Sequence, residues 1–269
     1  MVTPDVLGII AGSGVYPRLL VEGARKAGVK KIVAVAVDGE TDRSLEKLVD
    51  EIHWQRVGQL SRLLTTLRDA KVHHAIMAGQ VAPKNLFDLR PDWRALLLLA
   101  KLKERNAASI FSAIAVQLRE VDVELMPATR FLEDCLAPHG LISGPKLSRQ
   151  EQRDVELGWT IAKEVARLDI GQTVIVKAGT VLAVEGFDGT NATITRGGAL
   201  ARKGAVMVKV AKPGQDMRFD VPVVGVESLR VAQAAKVRVV AMEAGKTLML
   251  QADEVRAAAV NAGISLVGR

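Results

Sequence analysis

Residues 5–40 read "DVLGIIAGSGVYPRLLVEGARKAGVKKIVAVAVDGE". A β-branched run over 6–11 is followed by Gly12, Ser13 and Gly14, a helix-like stretch from Pro17 to Ala27, and a second such run over 31–37. Apolar strands without alternation, joined through a helix, are how a parallel sheet buried on both faces reads. Glycines at 12 and 14 let backbone approach an anion, and the helix that follows offers unpaired N–H groups and a positive dipole end. A nicotinamide fingerprint would place a third glycine where this chain has Pro17, which suits a first helical turn but cannot give close helix–strand packing. Asp38 ends the second strand, where a ribose contact is conceivable. The stretch reads as a phosphate cradle, and a plain strand-to-helix turn accounts for the same residues.

Working outward, strand-like runs recur at 51–57 and 74–79, with helix-like stretches at "DRSLEKLV", 59–71, 92–105 and 107–120, and a further short strand at 123–127. The grammar is that of a doubly wound α/β domain. "LAPHGLISGPKLS" (136–148), with its prolines and glycines, reads as a linker. Beyond it a helix (149–168) leads to a hairpin (172–185), a glycine-rich loop, a strand (205–211), the loop "KPGQDMRFDVPVVG" and a final helix–strand–strand–helix–strand series. The expected organisation is an N-terminal domain over 1–137, a linker over 138–148, and a C-terminal mixed-sheet α/β domain over 149–269.

The composition narrows the function classes. The chain has 269 residues, 49% of them hydrophobic and 25% charged, as a globular protein does. Lys and Arg exceed Asp and Glu by 37 to 30, a net charge of +7 that suits an anionic partner as well as a merely soluble surface. Aromatics are only 3%, too few for the base-stacking platforms of single-stranded nucleic-acid binding. Cys135 is the single cysteine and the four histidines lack ligand spacing, which excludes an intrachain disulfide and argues against a zinc site. No run is long enough to span a bilayer, and no signal peptide precedes the first strand, so a cytoplasmic protein is expected.

Several other stretches carry candidate chemistry. "MAGQVAPKN" (77–85) puts Gly79, Gln80 and Lys84 at the carboxyl end of the fourth strand, where open α/β sheets bind ligands. "PDWRALLLLAKLKER" (91–105) reads first as a core helix; the sharper reading is an interfacial helix whose basic rim meets anionic lipid. "VEGFDGTNATITRGG" (184–198) offers Glu185, Asp188, Thr190 and Arg196, and "KPGQDMRFDVP" (212–222) offers Lys212, Gln215, Asp216, Arg218 and Asp220. Acidic side chains at strand ends can converge on a divalent cation while Lys and Arg hold phosphate. Ion-paired surface loops explain the same pattern.

In this order, "GIIAGSGVYP", "MAGQV", "LAPHGLI", "AVEGFDGTNATITRGG", "VKVAKPGQDMRFDVPVVG" and "EAGKTLML" resemble the UDP-2,3-diacylglucosamine pyrophosphatases of the LpxI type, from about residue 6 to 268. The resemblance implies hydrolysis of UDP-2,3-diacylglucosamine to UMP and 2,3-diacylglucosamine 1-phosphate (lipid X) in lipid A synthesis, with Mg²⁺ or another divalent cation such as Mn²⁺. It implies a Rossmann-like N-terminal domain and a C-terminal α/β domain, with the diacylated ligand in the cleft between them. Asp216 and Asp220 are then the catalytic and metal-binding candidates, with Glu185 a further metal candidate. Gly12, Ser13, Gly14, Gly79 and Gln80 would face the nucleotide, and Thr190, Lys212, Gln215 and Arg218 would bind substrate. An inner-leaflet membrane surface is the implied peripheral partner, a homodimer is compatible, and nucleic acid is not expected. Two departures stand out: Asn191 where the family often has an acid, and "KERNAAS" (103–109) in place of a Gly-Asp-Asp stretch. A non-catalytic UDP-sugar sensor and, less well supported, an NAD(P)-dependent oxidoreductase are the alternatives.

Overall fold

The computed structural model describes residues 3–81, 91–104 and 107–269. Lys84 and part of "KERNAAS" lie outside the described residues. Two compact units form: Met1–Leu132 with Asp216–Asp220, and Glu133–Gln215 with Val221–Arg269.

The first unit is built on β1 (Val6–Ala11), α1 (Tyr16–Lys26), β2 (Lys31–Val37), β3 (Glu51–Gln55), α2 (Leu60–Asp69), β4 (His74–Ala78), α3 (Trp93–Lys101), α4 (Ala107–Arg119) and β5 (Glu124–Leu125). Its sheet runs β3-β2-β1-β4-β5, all parallel. β1 pairs with β2 on one side and β4 on the other, so strand order reverses at β1, the position where open α/β sheets commonly bind ligands. β2 explains why the strands lack alternation: Val33 and Val35 pack with Leu60, Leu63, Leu64 and Leu67 of α2, while Ile32, Ala34 and Ala36 are equally buried from the other side. α3 does not behave as the expected core helix. Ala95 is its buried residue, whereas Trp93, Leu96 and Leu97 are exposed.

The second unit contains β6 (Gly140–Ser143), α5 (Arg149–Arg167), β7 (Thr173–Lys177), β8 (Thr180–Val184), α6 (Gly189–Ala201), β9 (Ala205–Lys209), β10 (Val223–Val224), α7 (Val226–Ala234), β11 (Val237–Met242), β12 (Leu248–Met249), α8 (Ala252–Ala262) and β13 (Ser265–Gly268). Its main sheet is mixed, in the order β6-β13-β11-β9-β7-β8. β13, β11 and β9 are parallel, and β6, β7 and β8 run antiparallel to their neighbours. α5 covers one face through Val155, Ala162 and Ala166. The other face carries Ile175, Met207 and Val240, which pack with Ile194 of α6, Leu229 of α7 and Val255 of α8. α5 begins at a capping box: the Glu151 N–H donates to Ser148 Oγ at 3.2 Å and the Ser148 N–H to Glu151 Oε2 at 2.6 Å.

The structure corrects three expectations. Residues 138–148 are not a bare linker, because they carry β6, an edge strand on β13. Gly144 permits this, since a Cβ there would lie 2.3 Å from the Ile264 carbonyl oxygen. The glycine-rich stretch 184–198 is not all loop, for α6 starts at Gly189. Its glycines act as packing residues: a Cβ on Gly197 would meet Ile175 Cβ at 2.6 Å, and one on Gly198 would meet the Ala235 oxygen at 2.5 Å. Finally, Asp216–Asp220 clusters with the first unit although it lies far along the chain.

Gly197→Ala tests the α6 reading. Alanine favours a helix over glycine by about 1 kcal/mol, but overpacking costs about 1–3 kcal/mol, and here the obstacle is a buried strand side chain. The variant should unfold at lower urea concentration than wild type; a midpoint shifted upward would contradict the packing account.

Candidate active site

The glycine turn after β1 and the loop after β4 meet through backbone hydrogen bonds. The Ser13 N–H donates to the Gln80 oxygen at 2.7 Å, the Gln80 N–H returns to the Ser13 oxygen at 3.2 Å, and the Gly12 N–H reaches the Ala78 oxygen at 2.8 Å. Ser13 Oγ also donates to the Gln80 oxygen at 2.8 Å. Glycine is required at Gly12 and Gly79 by this approach itself, since added Cβ atoms would stand 2.5 Å from the Gln80 oxygen and 2.6 Å from the Ser13 oxygen. Gly14, at φ +87°, has open space where its Cβ would be. α1 then starts without a side-chain cap and with Pro17 in its first turn. The donors of Ser13 are therefore spent inside the fold, and any anion at this end would meet Gly14 and the first amides of α1.

The turn Asp216–Asp220 lies one residue away through Ala128. The Tyr16 hydroxyl at the start of α1 donates to the Ala128 carbonyl oxygen, and the Ala128 N–H donates to the Met217 oxygen at 2.7 Å. Phe219 adds an apolar anchor, its ring centroid 5.5 Å from that of Phe111 on α4. Within the turn the Asp220 N–H donates to the Asp216 oxygen at 3.0 Å. Arg218 grips Asp216 with a fork, Nε to Oδ1 at 2.9 Å and Nη2 to Oδ2 at 2.6 Å. That guanidinium holds the Asp216 carboxyl below its ordinary value, the Arg218 N–H and the charge of Arg119 act in the same sense, and partial burial opposes them. Arg218 is correspondingly raised. Asp216 is thus a fixed carboxylate, poorly suited to taking a proton near neutral pH.

The remaining candidates sit in the second unit. Thr190, in the first turn of α6, donates to Glu185 Oε1 at 2.6 Å and accepts from buried Lys209 Nζ at 2.8 Å. The other Glu185 oxygen accepts the Gln172 N–H at 3.1 Å. Asp188 is paired with Arg196 at 2.6 Å, and Arg196 also reaches the Val184 oxygen at 2.8 Å, which staples the start of α6 to β8. Lys212 Nζ is 2.6 Å from Asp169 Oδ1, and its N–H donates to Gln215 Oε1 at 2.7 Å. Among the described residues Gln215 Nε2 is buried without an acceptor. Also among the described residues, no three His, Cys, Asp or Glu side chains are grouped to hold a metal ion.

Comparison with known proteins accounts for nearly all of the chain. The LpxI N-terminal domain matches residues 6–135, and the LpxI C-terminal domain matches residues 138–267. The chain belongs to the LpxI family. It is 27% identical over 273 residues, 97% of this chain and 96% of the other, to a UDP-2,3-diacylglucosamine pyrophosphatase LpxI from Caulobacter vibrioides. No described helix is long and apolar enough to cross a membrane.

One network in this LpxI chain was missed by sequence reading. Glu243 follows β11, where its side chain is almost wholly buried. Its Oε2 accepts from Lys163 Nζ of α5 at 2.5 Å and from the Ala211 N–H at 2.8 Å, while Lys246 stands 2.9 Å from Oε1. Lys163 also donates to the Ala211 oxygen at 2.9 Å. Both backbone groups of Ala211 are therefore held at the entry of the loop that carries Asp216 and Asp220. The only sequence signal is "EAGK" after a strand, which looks like an ordinary turn.

Burial alone would raise the Glu243 carboxyl, but the bonds from Lys163, Lys246 and the Ala211 N–H outweigh it and hold the group below its ordinary value. A depressed folded value stabilises the protein above the ordinary carboxylate range, and that contribution is lost as pH falls through the folded value. Glu243→Gln should destabilise the protein at pH 7 by up to about 3–5 kcal/mol, because the charge of Lys163 loses its counter-ion. It should also lose less stability than wild type as pH is lowered from about 5. Parallel pH–stability curves would contradict this role.

Proposed function

We propose that this protein hydrolyses the pyrophosphate bond of UDP-2,3-diacylglucosamine, giving UMP and 2,3-diacylglucosamine 1-phosphate. The observation that carries the reading is the match of both LpxI domains in order along the chain. The name of the Caulobacter relative supports it. The geometry adds an anion-suited turn and a charged acid turn joined through Ala128 in one unit. The reversal of strand order at β1 is where Rossmann-like sheets bind nucleotides. The acyl chains of such a substrate set the reaction at a bilayer surface.

The residues then take distinct parts. Asp216, ionised and clamped, orients Arg218, whose guanidinium uses Nε and Nη2 on Asp216 and turns its remaining N–H groups to the departing phosphate. Asp220, on the same turn, orients the attacking water. Gly14 and the start of α1 meet the nucleotide phosphate. Mg²⁺ commonly keeps several waters and takes one or two carboxylates plus substrate phosphate oxygens, so the carboxylates of Asp216 and Asp220 fit it without a full protein cage. When bound, such an ion neutralises charge on the pyrophosphate. Like Asp216 in the grip of Arg218, Glu185 accepts hydrogen bonds at both its oxygens, so either would have to give up a donor to ligate the ion.

UMP release should be abolished by excess chelator and restored by Mg²⁺. Asp220→Ala should lower kcat by roughly 10²–10⁴-fold, the usual range for a removed proton acceptor, with the folded state intact by circular dichroism. Asp216→Ala should impair turnover as well. Full activity in both variants would refute these roles. Binding of the UDP-sugar without release of UMP by wild type would favour the sensor reading instead.

A further inference from the structure

α3 presents an apolar stripe to solvent. Trp93, Leu96, Leu97 and Ala100 are all exposed, and their spacing of three, four and seven residues places them on one side of the helix. The opposite side is where Ala95 and Leu98 join the core with α2 and α4. The helix is rigidly seated: Asp92 accepts the Ala95 N–H at 2.9 Å and the Ser61 N–H at 2.6 Å, capping α3 and α2 with one carboxylate. No acidic residue occurs between Trp93 and Lys101. Arg94 lies over the Trp93 ring at 5.4 Å, and Lys101 and Lys103 are exposed at the other end.

We infer that α3 docks this protein onto an anionic lipid bilayer, with the stripe at the acyl boundary and Arg94, Lys101 and Lys103 among the headgroups. The charge is complementary to such a surface and the layout is that of an interfacial helix: apolar face, basic rim, and a tryptophan suited to the boundary between apolar and wet. A second copy of this chain fits less well. A nine-residue helix is about 14 Å long, and the four side chains of one stripe on it fall well short of the roughly 800 Å² per partner in a stable interface. The inference stands on α3 itself and does not depend on the proposed reaction.

The test is sedimentation of the full chain with vesicles of phosphatidylcholine alone and with added phosphatidylglycerol. Wild type should pellet with the anionic vesicles and be released by salt. Leu96→Glu with Leu97→Glu should abolish pelleting, and Arg94→Gln with Lys101→Gln should weaken it about tenfold or more. Both double variants should melt like wild type and retain hydrolysis of detergent-dispersed substrate, which separates failure of docking from failure of the proposed reaction. Wild-type levels of vesicle binding in both would overturn the inference. So would analytical ultracentrifugation showing a wild-type dimer that the Leu96→Glu, Leu97→Glu variant dissociates without change in vesicle binding.

Discussion

The peptide of Ala128 is the joint on which the candidate site depends. Its carbonyl accepts from Tyr16 at the head of α1, and its N–H donates to Met217. Through this one residue the glycine turn after β1 and the acid turn 216–220 share a neighbourhood in the first unit. Ala128 makes both bonds with backbone groups, and its side chain is itself buried. The Tyr16 hydroxyl holds one side of it, and on the other the turn is anchored by the Phe219 ring, tilted against Phe111.

Two charge arrangements, one half-buried and one around the buried Glu243, then set the state of the loop around that turn. Arg218 neutralises Asp216 locally, which fixes a carboxylate where the proposed chemistry needs a permanent charge rather than a proton acceptor. Glu243 and Lys163 clamp Ala211. Breaking one partner of such a pair leaves the other charge uncompensated, so the clamp specifies the entry of the loop more strongly than a backbone turn alone would. The proposed division of labour between Asp216 and Asp220 rests on the fork that holds Asp216 as a carboxylate.

Much of the fold was legible. β1, α1 and β2 fall where residues 5–40 place them, since valine-rich runs and a Gly-Ser-Gly turn leave few other structures. The hairpin of β7 and β8 was equally plain. α6 was not, because Gly197 and Gly198 read locally as breakers while their purpose is contact with Ile175 and Ala235. β6 was hidden by flanking prolines and glycines, and its identity rests on a distant partner, β13. For the site, residue types and family resemblance named Asp216, Arg218 and Asp220, but nothing local said that Phe219 and Ala128 would settle them in the first unit. Glu243 escaped notice because its partners Lys163 and Ala211 are 80 and 32 positions away in the chain.

The most direct test of the central claim is ³¹P NMR of UDP-2,3-diacylglucosamine incubated with wild-type protein and Mg²⁺. Loss of the two pyrophosphate resonances with equal growth of two phosphomonoester signals, those of UMP and 2,3-diacylglucosamine 1-phosphate, is the predicted result. An unchanged pyrophosphate in the presence of folded protein would contradict it, and so would release of UDP in place of UMP.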